Sequence, residues 1–381
     1  MSTTVDLDLL LDTVGHFASK AEQRLFGAEL PDGDLGAVDG LLLEAASIGL
    51  LAGADADGGR WGVWGAHVDS EGVSLSLGVL RRLGRVCAGL ATAVHAQGLG
   101  SLLLGSADRS SGGPRPARVV AAFSPPFGVA LDPRTFGDGL VLDGGRLHGR
   151  VRFGLVPGSA DIVVVAARTA IGPEGHWAVL ALPAATPGLR ITPCGARIGL
   201  RATGMVDVVA DGVAIPAGAE RHRGRAAERS IETTIGCDWL GQAAIALGSA
   251  ERAVADATSY TRTRVQGGVP IADHAAVRLL LGRAEHDLAV LTCVLDRHAR
   301  TPIAELDTPT LLRWGIDARL AAGEQAGRAV TDALQTLGGY GYMDEYGLSK
   351  RLRDLTALRV LHGGPDQLLL LRHELAAAAT P

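Results

Sequence analysis

The segment from Gln335 to Gln367 gathers the residues best suited to chemistry. It reads QTLGGYGYMDEYGLSKRLRDLTALRVLHGGPDQ. A long helical run ends at Gly338-Gly339, where glycine allows the left-handed conformation that closes a helix. A second helix is predicted over Leu348–Leu361. The chain then breaks at His362-Gly363-Gly364-Pro365, and Pro365 suits the first position of a last helix. His362 is thus displayed on a loop at the mouth of a helix whose unpaired N–H groups favour an anion. An imidazole there is either a base, with an ordinary pKa near 6.5, or a surface residue on a plain helix connection. Arg264, at the end of another helical run, offers five donors in a planar fork suited to phosphate oxygens. Its alternative is a solvated helix-end cation.

Other motifs are absent. The sequence holds no GxxxxGK[ST], no HExxH, no GxSxG, and no GxGxxG between a strand and a helix. Walker, zincin, serine-hydrolase and Rossmann NAD chemistry therefore have no anchor. Cys87, Cys194, Cys237 and Cys293 stand far apart, without zinc spacing. They read as buried free thiols in a reducing cytoplasm. His298 and His373 read as surface residues.

Three kinds of element must position these groups. Up to about residue 115 the pattern is helical, over Asp6–Phe26, Asp34–Leu51 and Ser70–Ala107. Gly105–Arg118 is rich in Ser, Gly and Pro and reads as a linker. Between about 116 and 225, β-rich runs at 119–124, 140–153, 161–168, 177–183 and 206–216 are separated by Gly, Pro and Asp. Few long helices intervene, so an antiparallel barrel or sandwich is expected rather than a crossover fold. From 226 to 381 helix returns over Ile235–Arg262, Asp273–Arg300 and Thr308–Thr336. Each is about 42 Å long at 1.5 Å rise per residue, which suggests an antiparallel four-helix bundle. The fold class expected is α+β: a helical domain over 1–115, a β domain over 116–225 and a bundle over 226–381.

At 381 residues, with 47% hydrophobic and 20% charged residues, the chain can bury large cores. A net charge of −5 and 4% aromatic residues give no reason to expect nucleic acid. The acidic start MSTTVDLDLLLDTV has no basic n-region and does not read as a signal peptide. Val86–Ala107 carries no formal charge and is long enough to span a bilayer. Its His95, Gln97 and serines favour two buried helices broken near Gly98 instead.

The C-terminal segment resembles that of the acyl-CoA dehydrogenase family of flavoproteins. The resemblance runs through Gln335, Gly338-Gly339-Tyr340-Gly341, Tyr346, Arg353-Asp354 and Leu361-His362-Gly363-Gly364. Tyr260–Val277 adds Arg264, Gln266, Gly268, Pro270 and Ile271, and Ile198–Pro216 adds Gly199, Arg201 and Thr203. Together these stretches extend the resemblance over nearly the whole chain. It implies FAD, with Arg264 toward the pyrophosphate, Gln335, Gly338 and Gly339 toward the ADP portion across a dimer, and Gln266 among the cofactor-binding residues. Ser124, Phe153 and Leu155 fall in the flavin-facing motifs.

The resemblance also implies departures. The family's catalytic glutamate falls on His362. In some members the carboxylate comes from the first long bundle helix, and that position falls on Asp238. His362 and Asp238 are thus two candidate bases. Ser124-Pro125-Pro126-Phe127-Gly128 replaces an acidic flavin loop, and Leu155 replaces a hydroxyl-bearing residue. Trp239 stands where an arginine is common. The leading expectation is dehydrogenation of an acyl thioester, on CoA or a carrier protein, by a cytoplasmic homodimer or homotetramer without membrane attachment. Two alternatives stay open. One is a flavin enzyme of the same fold with another reaction, such as a monooxygenase or a non-oxidative ring closure. The other is a non-catalytic subunit paired with a complete paralogue.

Overall fold

A computed structural model describes residues 7–25, 36–51, 62–65, 70–105, 118–122, 139–156, 160–172 and 175–377. Ser124 and most of the expected linker lie outside the described residues.

Four helices come first: α1 (Leu7–Leu25), α2 (Gly36–Ser47), α3 (Ser70–Val86) and α4 (Ala88–Leu104). The break expected near Gly98 falls instead at Cys87, whose extended backbone separates α3 from α4. Gly98 stays inside α4 because its role is close approach. A Cβ there would overlap the carbonyl of Val63. Nearly all of α4 is buried, which is why this uncharged stretch is apolar on every face. Among the described residues no helix is long and apolar enough to cross a membrane.

The strands are β1 (Val119–Ala122), β2 (Gly139–Asp143), β3 (Arg146–Val156), β4 (Ile162–Gly172), β5 (Gly175–Pro183), β6 (Leu189–Pro193), β7 (Gly204–Ala214) and β8 (Glu220–Arg223). They form one sheet in the order β6-β7-β3-β1-β4-β5-β8, with β2 pairing with both β3 and β4. The pairing is mostly antiparallel, as the short connections require. Two pairs, β1 with β4 and β2 with β4, are parallel. Alternation of side chains along β1 sorts the core. Val120 and Ala122 join the apolar interior of the sheet, while Val119 and Ala121 join the larger core shared with the helices. Both faces of β1 are therefore covered.

The bundle follows: α5 (Arg225–Thr263), α6 (Ala275–Ala299), α7 (Thr308–Thr336), α8 (Leu348–Leu358) and α9 (Pro365–Ala377). A two-residue pairing of β9 (Val265–Gln266) with β10 (Val269–Pro270) joins α5 to α6. Asp307 caps α7 by accepting from the Thr310 N–H at 2.7 Å. Two crossed ion pairs tie α6 to α7. Arg283 reaches Asp332 and Arg328 reaches Asp287, each through two nitrogen–oxygen contacts of 2.6–2.8 Å. Two stretches picked out in the sequence meet here: the Leu200 N–H donates to Asp354 at 2.7 Å, which docks the turn before β7 onto α8.

His298 departs from its expected exposure. It is buried in the last turn of α6, with its ring 4.5 Å from that of Trp314. His373 is exposed, as expected. Of the four free thiols only Cys87 and Cys237 are buried. Cys293 is exposed and Cys194 lies between.

Candidate active site

Asp238 lies about a third of the way along α5, in the apolar run Ile235–Ile245, and is completely buried. A lone carboxylate there needs donors, since burying an unpaired charge costs several kcal/mol. Two imidazoles supply them. His362 Nδ1 stands 2.6 Å from Oδ2, and His95 Nε2 on α4 stands 3.0 Å from Oδ1. The two residues expected as rival bases are thus in direct contact, and a third residue shares the carboxylate.

Trp64 completes the chain of contacts. Its indole Nε1–H donates to His95 Nδ1 at 2.8 Å. Both rings are buried. Close approach makes this geometry available, because a Cβ at Gly241 would overlap the His95 ring. Burial alone would raise the Asp238 carboxyl. The charge of His362 when protonated, its hydrogen bond and that of His95 outweigh burial and hold it well below the usual carboxylate range.

The His362 loop is held from two further sides. Trp239 Nε1 donates to the His362 carbonyl at 3.1 Å, and the buried Arg319 on α7 reaches the Leu361 carbonyl at 3.4 Å. His362 itself has φ +52°, a left-handed conformation that non-glycine residues adopt at a cost. Far from being displayed at the surface, it is tucked inward, its side chain 8% exposed. Arg319 Nε also donates to Gln242 Oε1 at 2.8 Å. Burial pulls the Arg319 guanidinium down to about 10, so it stays charged at neutral pH. The same bond orients the Gln242 amide and leaves its buried Nε2 without a partner among the described residues. One turn separates Gln242 from Asp238 on α5.

The expected cofactor residues fall into two places. Arg264 closes the C-terminus of α5, and its guanidinium lies over the Tyr340 ring at 5.6 Å. Tyr340 directly follows Gly338 and Gly339 in the chain, and the surroundings of both glycines are open. Gln335, in the last turn of α7, and Gln266, in β9, are exposed. On β3, Phe153 is 50% exposed with φ +61°, next to a register irregularity. Leu155, two residues on, is buried in the core between sheet and helices and offers no surface. An exposed flat ring, open glycine backbone and a cation with a planar fork match the isoalloxazine, ribose and pyrophosphate parts of FAD. Among the described residues no His/Cys/Asp/Glu group could hold a metal ion.

Sequence reasoning passed over His95, Trp64, Arg319 and Gln242 as functional residues. A signal existed for one of them. His95 is the only titratable side chain in the uncharged stretch 86–107 apart from Cys87. Trp64 carried none, since it sits outside any helix or strand.

Comparison with known proteins agrees with this architecture. Residues 229–374 match the family model described as acyl-CoA dehydrogenase, C-terminal domain. The chain is 30% identical over 308 residues to cyclohex-1-ene-1-carbonyl-CoA dehydrogenase of Geobacter metallireducens, covering 75% of this chain and 77% of that one. It is 30% identical over 224 residues to a probable acyl-CoA dehydrogenase of Bacillus subtilis, and there it spans 57% of each chain. Among solved structures, butyryl-CoA dehydrogenase from Megasphaera elsdenii superposes with a TM-score of 0.77 at 21% identity over 99% of both chains. The chain belongs to the acyl-CoA dehydrogenase family, whose members are FAD-dependent flavoproteins.

Proposed function

We propose that the chain is an acyl thioester dehydrogenase in which His362, backed by Asp238, is the base. The observation that carries this reading is the 2.6 Å contact between His362 Nδ1 and a fully buried Asp238. An ionised Asp238 accepts, so His362 carries its proton on Nδ1 and its lone pair on Nε2. That nitrogen takes the proton from the carbon next to the thioester carbonyl. When bound, FAD supplies the two-electron acceptor for the hydride leaving the neighbouring carbon.

Charge conservation explains how histidine serves in place of glutamate. A glutamate base passes from −1 to 0 as it takes the proton. Neutral His362 with ionised Asp238 also passes from −1 to 0, becoming an imidazolium–carboxylate pair. The cation that a lone imidazole would leave is cancelled within one hydrogen bond. Trp239 and Arg319, holding the His362 and Leu361 carbonyls, fix the loop so that the ring keeps its register with Asp238.

Arg264 would hold the FAD pyrophosphate, Gln266, Gln335, Gly338 and Gly339 its ADP portion, and Phe153 would pack against its ring. The non-catalytic alternative is disfavoured, because a buried ionised carboxylate with two imidazole partners is expensive to keep without use. Reconstitution with FAD, followed by anaerobic titration with acyl-CoA thioesters, tests the proposal. Bleaching of the flavin by wild type, and none by His362→Ala with an intact oxidised flavin spectrum, is the expected result. Full bleaching in that variant would overturn His362 as the base. A wild type that binds FAD but is reduced by no thioester would overturn the reaction.

A further inference from the structure

Asp238 lies between two imidazoles, and nothing in a carboxylate tells it which should become the base. His95 and His362 contact its two oxygens at 3.0 and 2.6 Å. The second nitrogen of His95 settles it. His95 Nδ1 accepts the Trp64 indole N–H at 2.8 Å, and an indole nitrogen only donates. His95 Nδ1 must therefore be bare, and the single ring proton sits on Nε2, pointing at Asp238. A second proton on His95 would set two donors against each other in a buried site.

We propose that Trp64 selects the base: by occupying His95 Nδ1 it keeps His95 neutral, so that proton uptake at the Asp238 pair falls to His362. His95 then serves as a fixed donor to Asp238, and Trp64 acts as a positioning residue through it. This deepens the reading of His362 as the base and rests on it for its catalytic meaning. The tautomer assignment itself stands on hydrogen-bond geometry alone.

The backbone supports a built device. Trp64 and His362, the two ends of the chain of contacts, are two of only four non-glycine residues among those described with positive φ, at 58° and 52°. The Trp64 N–H is tied to Ser76 Oγ at 3.0 Å, which fixes the turn that aims the indole. The other ionisable groups around the cluster do not compete for the proton. Arg319 on α7 stays charged, and the Cys237 thiol on α5 is pushed up by burial and then by the charge of Asp238.

The first test is nitrogen-15 NMR of the protein labelled at its histidines, from pH 5 to 8. His95→Gln and His362→Gln identify the two sets of resonances among the eleven histidines. In wild type, His95 should show a protonated Nε2 and a bare Nδ1 throughout this range. In Trp64→Phe, Nδ1 loses its donor, and its resonance should shift or the ring proton should redistribute between the two nitrogens. A wild-type His95 protonated on Nδ1, or doubly protonated at neutral pH, would overturn the proposal even if Trp64→Phe does not fold. Identical His95 behaviour in wild type and Trp64→Phe would overturn it as well.

The second test is the pH profile of flavin reduction. Trp64→Phe should change its shape, and Trp64→Phe/His95→Gln should restore the wild-type shape, since glutamine still donates to Asp238 but takes no proton. A changed profile that persists in the double variant would overturn the role of His95. The NMR result does not depend on turnover. A failure of the dehydrogenase reading and a failure of this proposal are therefore distinguishable.

Discussion

His362 Nδ1 lies 2.6 Å from Asp238 Oδ2, across 124 residues of chain. The contact turns two separate candidate bases into one unit: a basic nitrogen and the carboxylate that orients and neutralises it. It is the arrangement of a histidine and aspartate in a hydrolytic triad, with no nucleophile between histidine and substrate.

Asp238→Asn tests the unit directly. The asparagine carbonyl is claimed by His95 Nε2–H, so its amide N–H faces His362 Nδ1. That drives the His362 proton to Nε2 and removes the base. Flavin reduction should fall about 10⁴-fold, the size of loss seen when a triad carboxylate is neutralised, while the oxidised flavin spectrum stays unchanged. Rapid-mixing anaerobic kinetics measures it. A rate within tenfold of wild type would leave Asp238 without a part in the reaction.

Charge equivalence can be checked by moving the carboxylate. His362→Glu places a second acid against Asp238, and like charges in contact raise one pKa strongly. The single variant should reduce its flavin slowly. Adding Asp238→Asn removes the repulsion, and His362→Glu/Asp238→Asn should be at least about tenfold faster, since one pKa step is a factor of ten in the ionised fraction. Equal rates would argue that repulsion does not limit the single variant.

Arg264→Ala probes the cofactor site. A hydrogen bond to a charged group contributes about 1.5–3 kcal/mol, which corresponds to roughly 10–100-fold in affinity. Absorbance titration with FAD should show a dissociation constant raised by that factor with folding unaffected. An unchanged constant would remove Arg264 from the pyrophosphate site.

The helical and strand regions could be read in the sequence because they depend on local patterns. The Gly338-Gly339 closure, the Pro365 start and the run of alternating strands are such patterns, and each lies where its residues predict. The parallel pairings of β4 were not legible, because strand order depends on which edges meet after collapse. At the site, His362 and Asp238 could be named through resemblance, but their contact could not. A hydrogen bond across 124 residues leaves no periodicity. His95 and Asp238 did leave one trace: each is the lone ionisable oxygen or nitrogen bearer in an otherwise apolar helical run. Two such interruptions in one chain are a reason to look for a buried pair.

Stability should depend on pH through His298. Burial, and then the neighbouring Arg297, lower its pKa to about 4, below the ordinary 6.5 of the unfolded chain. Between those values the unfolded state binds the extra proton. Stability is therefore full above about pH 6.5 and falls as the pH drops toward 4, by on the order of 2 kcal/mol. His298 Nδ1 has no hydrogen-bond partner among the described residues, and the charge of Asp317 offsets only part of the cost of protonation. His298→Phe keeps a ring against Trp314 and should flatten the profile of denaturant midpoint over that window. A slope identical to wild type would place the titration elsewhere.

The order of the four contact residues along the chain sets a schedule for assembly. During synthesis Trp64 and His95 emerge first, then Asp238, and His362 only near the end. Until the last helices arrive, α5 carries a carboxylate with one donor and an open second oxygen. The bundle therefore has reason to stay loose around Asp238, accessible to water, until the His362 loop docks. On the proposed reading, closing the core and completing the base become the same event, and a ribosome-bound intermediate lacking the loop should be neither compact nor active.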